Sequence, residues 1–173
     1  MFRDSLIPAE AIRLAALGLL AEAPRHYGEL SGEIRHFTSH VAGPSLDLMG
    51  TSLELLRYEG LIEPVDGKGM ADNAVMRLTP QGRSALHSLL QARLRVPLGD
   101  ANRLTLLLKL RFLEQLPEAE RHGQRREIAE SLESERTRLM DLRRHHAAAA
   151  PRSFLDWLDR DIATLASHLD GIR

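Results

Sequence analysis

The sequence predicts a mainly α fold: a winged helix-turn-helix domain with a two-stranded wing, followed by an all-α, antiparallel or coiled-coil-like domain. Three observations carry this. Three stretches with apolar residues at helical spacing precede Gly60, and two short strand-like runs bracket the turn signal Asp66-Gly67-Lys68-Gly69. A fourth helical stretch follows Thr79-Pro80. After Val96-Pro97-Leu98-Gly99-Asp100 everything reads helical, so the chain divides into residues 1–96 and residues 100–173.

The first helix is expected to begin near Pro8, whose missing N–H is unpaired in a first turn anyway. Ile12, Leu14, Ala15, Leu17, Leu19 and Leu20 make it apolar on a broad face, and Pro24 stops it. The second covers Tyr27 to Phe37 on a stripe of Leu30, Ile34 and Phe37, and Thr38 to Pro44 reads as a turn rich in breakers. The third has Ser45 near its N-terminus and Gly60 as its stop. Leu61 to Val65 and Ala74 to Leu78 form the two strands. Thr79 then caps a helix that carries Leu86, Leu89, Leu90 and Leu94 to about Arg95, with Pro80 in its first turn.

Beyond the boundary, Leu104, Leu107, Leu108, Leu110, Phe112, Leu113 and Leu116 line one helix. A long, charged helix runs from Glu118 to about His146 with a sparse stripe of Ile128, Leu132, Leu139 and Leu142. A last one, Ser153 to Leu169, carries Leu155, Leu158, Ile162, Leu165 and Leu169 in steps of three and four, a narrow seam of the coiled-coil type. So thin a stripe needs a partner helix. Either a second copy of the chain supplies it, giving a homodimer through that seam, or the chain closes on itself as a helical hairpin.

Composition narrows the function classes. The 173 residues hold 23 Lys+Arg against 24 Asp+Glu and no cysteine, which excludes a disulfide scaffold, a thiolate metal site and a cysteine nucleophile. At 43% hydrophobic and 27% charged, the chain is neither disordered nor membrane-embedded. The most apolar stretch, Ala11 to Ala21, is broken by Arg13 and is far shorter than the roughly 20 residues a bilayer requires. Arg3 is followed at once by Asp4, unlike a signal peptide, so a cytoplasmic protein with no membrane partner is expected. Gly-rich phosphate loops, nucleophile elbows and His-Glu-x-x-His are all missing, so no enzyme, catalytic residue or cofactor is expected. His36 and His40 stand four apart, but no carboxylate completes a set beside them, and no metal site is expected.

The run Leu19-Leu20-Ala21-Glu22-Ala23-Pro24-Arg25-His26-Tyr27-Gly28-Glu29-Leu30 resembles the start of a PadR-family transcriptional regulator. Leu53, Leu56 and Glu59-Gly60-Leu61-Ile62 resemble that family's helix before the wing, and Leu78-Thr79-Pro80-Gln81-Gly82-Arg83 resembles the opening of the helix after it. The resemblance covers residues 11 to about 95, with Gly50 where members usually have tyrosine and Met76 where they often have an aromatic. It implies a homodimeric repressor that binds a palindromic operator in double-stranded DNA. It also implies release by a small aromatic or phenolic effector bound between the two domains.

The helix faces suggest which residues would meet DNA. Leu46, Met49, Leu53 and Leu56 fall on the core side of the third helix, leaving Ser45, Asp47, Gly50, Thr51, Glu54, Arg57 and Tyr58 outward. Ser45, Thr51 and Arg57 are the candidate groove contacts, with Arg35, His36, His40, Lys68 and Arg77 as candidate phosphate contacts. Residues 1–95 hold ten Lys+Arg and eleven Asp+Glu, so binding depends on local placement of a few cations. Trp157, the only tryptophan, either lines an effector pocket or packs at a dimer interface. The alternative is a winged-helix protein-interaction or scaffold dimer that no longer binds DNA, in keeping with the neutral charge and with Asp47 and Glu54.

Overall fold

A computed structural model describes every residue except 1–7, 43–48, 67–72, 95 and 173. In chain order the described residues form α1 (Pro8–Glu22), β1 (Arg25–His26), α2 (Tyr27–Ala42), α3 (Met49–Tyr58), β2 (Ile62–Pro64) and β3 (Val75–Leu78). They continue with α4 (Pro80–Gln91), α5 (Asp100–Phe112), a 3-10 turn (Leu113–Gln115), α6 (Glu118–His146) and α7 (Arg152–Ile172).

The all-round apolar character of α1 has a direct cause: α2, α3, α4, α5 and β3 all pack against it. Ala11, Ile12, Leu14, Ala16 and Leu17 are fully buried there. Helix α5 closes the same core with Leu104, Leu108 and Phe112. The Phe112 ring occupies the space a Cβ on Gly18 would need, so the two helices touch backbone to ring. From its other side α5 gives Leu106 and Leu110 to a second core with Leu94, Ile128, Leu132, Leu165 and Leu169. Although α5 begins only at Asp100, past the expected boundary, it belongs to both cores.

The sheet is antiparallel with order β1-β3-β2, pairing Ile62 with Leu78 and Glu63 with Arg77 on one side of β3, and Arg25 with Met76 on the other. The expected two-stranded wing thus gains a third strand, which two residues are too few to announce by alternation. Helix α2 also runs further than its sequence suggests. Thr38 and Ser39 do not break it, because their hydroxyls donate back to the Ile34 and His36 carbonyls at 2.9 and 3.0 Å. Thr38 is itself buried, and Phe37 and Val41 pack against the core, so the helix continues through Ala42.

The punctuation residues act as the sequence predicts. Gly60 takes φ +72°, donating to the Arg57 carbonyl while Leu61 donates to Leu56, both at 2.9 Å, and this pair of bonds ends α3. The Thr79 hydroxyl accepts from the Gly82 N–H at 3.0 Å and donates to the Gly60 carbonyl at 2.8 Å. One threonine therefore caps α4 and pins it to the end of α3. At its far end α4 stops at Gln91, short of Arg95. Lys109 of α5, fully buried, donates from Nζ to the Leu90 and Ala92 carbonyls at 2.5 Å each and so satisfies that helix end.

Helices α6 and α7 form an antiparallel hairpin, with Ile128 and Leu132 against Leu165 and Leu169, and a two-point ion pair from Arg143 to Asp159 near its tip. Among the described residues no helix is long and apolar enough to cross a membrane.

Candidate nucleic-acid interface

Helix α3 has two unlike faces. Leu53 and Leu56 are fully buried, whereas Leu55 is 47% and Tyr58 91% exposed, with Glu54 and Arg57 exposed beside them. Thr51 lies one turn before Leu55 on this helix. Ser45 and Lys68, also expected contacts, lie outside the described residues. Leu55 is the residue that sequence reading missed, because an apolar side chain is not what an outer face leads one to expect. The steps of four and three from position 51 through 55 to 58 would have indicated it.

The helix is held from behind. Arg13 of α1 donates to both Glu59 carboxylate oxygens, at 3.0 and 2.5 Å, just past the end of α3. That hydrogen bonding, more than the charge itself, holds the Glu59 carboxyl below its ordinary range, while partial burial opposes it.

On α2, Arg35, His36 and His40 are all exposed, and they sit on a continuous helix rather than in the expected turn. The His36 and His40 rings are 4.2 Å apart between centroids, and His40 Nδ1 lies 2.7 Å from the His36 carbonyl. Among the described residues no group of three His, Asp or Glu is arranged to hold a metal ion. On the sheet, Arg77 meets the carboxylate directly across the register. Its Nε donates to Glu63 Oε1 at 2.8 Å, so its charge is already engaged within the wing. A second ion-pair set went unnoticed in the sequence: Arg25 and Arg111 share Glu22 and Glu33 at 3.0–3.8 Å, joining α5 to the α1–α2 turn.

In the C-terminal hairpin, Leu158, Leu165 and Leu169 are buried within the chain and Leu155 and Ile162 are half-buried. The seam therefore packs largely on α6 of the same chain. Trp157 stands 65% exposed, one turn after Phe154 at 39% on α7, and Leu142 of α6 is 37% exposed. A cavity of about 250 Å³ lies between α6 and the segment that follows α4, lined by residues that include Arg93, Leu94, Gln124, Ile128 and Ser131; Trp157 is not among them.

Against this geometry, no curated protein matches the chain. Residues 2–172 match the family described as "Putative AphA-like transcriptional regulator", which covers nearly the whole chain and is not an enzyme family. The chain belongs to the AphA-like family of transcriptional regulators.

Proposed function

We propose that this regulator binds double-stranded DNA as a homodimeric, PadR-like repressor, with α3 in the major groove, α2 across the backbone and the β2–β3 wing beside it. The observation that carries the reading is the division of α3 into a fully buried apolar edge and an exposed outer face, in a helix-turn-helix frame closed by a three-stranded wing. Arg35 on α2 and Arg57 on α3 are exposed cations, Lys68 is the further cation the sequence offers, and two protomers would present the set twice to a palindromic operator. The α6–α7 hairpins pair through exposed apolar residues such as Leu142, Phe154 and Trp157, and so set the spacing of the two winged units. A small aromatic or phenolic effector in the cavity between α6 and the segment after α4 would release DNA by favouring another spacing. Such a protein works in the cytoplasm.

A mobility-shift titration against the DNA upstream of its own coding region tests this. Saturable binding that weakens with salt, and weakens further in Arg35→Ala, Arg57→Ala and Lys68→Ala, is the expected result. No specific binding at low salt overturns it. One observation favours a second reading, a scaffold dimer: Arg77 is spent on Glu63 inside a winged unit with no basic excess. A chain that dimerises but binds no duplex would support that reading.

A further inference from the structure

The outer face of α3 carries a leucine and a tyrosine where a DNA-facing helix is usually polar throughout. Leu55 and Tyr58 lie about one turn apart, both exposed, on the side away from Leu53 and Leu56. Beside them Glu54 is exposed too, and a carboxylate there disfavours any approach by phosphate. A face with a leucine, a tyrosine and an acid suits base edges rather than backbone. Of the groups that bases show in the major groove, the thymine 5-methyl is the apolar one, and the cytosine exocyclic amine is a donor that a carboxylate accepts from.

We infer that Leu55 reads a thymine 5-methyl group in each half-site, with Tyr58 shielding that contact from water and Glu54 accepting from the amine of a neighbouring cytosine. The inference rests on the DNA-binding reading above and deepens it by naming the base chemistry. It also accounts for Glu54, since the acid that weakens the grip on phosphate contributes to sequence choice.

Full-length protein would select duplexes from a randomised pool, and the selected duplex would be resynthesised with uracil for thymine, which removes only the methyl groups. Wild type is expected to bind the uracil duplex about fourfold more weakly per contacted methyl, the worth of one buried methyl group. Leu55→Ala is expected to bind both duplexes alike, and Leu55→Met, which keeps an apolar contact, to retain the difference. Glu54→Gln should relax the choice of cytosine at one position. Thermal melts check that these exposed-site variants fold. Wild type indifferent to uracil, or Leu55→Ala discriminating as well as wild type, overturns the inference and leaves DNA binding standing. Failure to select any duplex overturns the DNA-binding reading itself.

Discussion

Lys109 is fully buried, a costly place for an ammonium group unless its donors are used. Its bonds to the Leu90 and Ala92 carbonyls supply that use and, in the same contact, tie α5 to the end of α4. Lys109→Met keeps much of the volume but takes the donor from two carbonyls at a helix end. It should lose about 2–3 kcal/mol in urea denaturation. The Arg13–Glu59 pair predicts a pH dependence. Because Glu59 titrates below its ordinary value in the folded chain, its contribution is fully present above the unfolded value and is lost as pH falls through the folded one. The stability advantage of wild type over Glu59→Gln should be constant near about pH 7 and shrink as melts are taken toward about pH 3. An advantage that grows on acidification would contradict the pairing.

At the level of elements, caps and glycines govern where helices end and how closely they approach. A Cβ on Gly82 would collide with the Leu61 carbonyl and meet Leu78 Cδ1, so the glycine of the Leu-Thr-Pro-Gln-Gly-Arg run lets α4 lie against the start of the wing. Thr79→Val removes both the cap acceptor and the bond to Gly60, and should cost about 1–2 kcal/mol, read as a lowered melting temperature. The α6–α7 hairpin stands on few residues. Leu165→Ala, which truncates a buried side chain of the second core, should cost about 2–4 kcal/mol. Protease cleavage should then appear first in α7, because α1 and its core do not depend on that contact.

Across the whole molecule, the position of α5 matters most, since it contributes to both cores and is joined by Arg111 to Glu22 and Glu33. Force on the hairpin reaches the winged unit through this helix, through Leu94 in the second core and through the Gln91–Glu120 bond from α4 to α6. Gly18→Ala would push against Phe112, unseating α5 from α1 at about 1–3 kcal/mol. In the DNA-binding reading that variant should also weaken operator binding more than its stability loss explains, because the spacing of the half-sites is set through α5. The scarcity of free cations makes a further prediction: the salt slope should be shallow, about two released counterions per protomer, one each for the candidate phosphate contacts Arg35 and Lys68.

Much of this architecture was legible in the residues alone. The bounds of α6, the stop at Gly60 and the cap at Thr79 came through because apolar periodicity and capping depend on neighbours within a turn or two. So did the outward face of α3 at Glu54, Arg57 and Tyr58. The remaining features join residues far apart in the chain, and local pattern carries no trace of them. Arg25–His26 became a strand only because β3 returned beside it, and Arg77 lost its free charge only because Glu63 fell opposite. The leucines of α7 were readable as a stripe in want of a partner, with a second copy or the chain itself as the two candidates; that α6 of the same chain covers most of it was decided by the fold. Local spacing set each element and its faces; which faces met, and so which charges and apolar groups remained for a partner, required the folded chain, because contact energy depends on proximity in space.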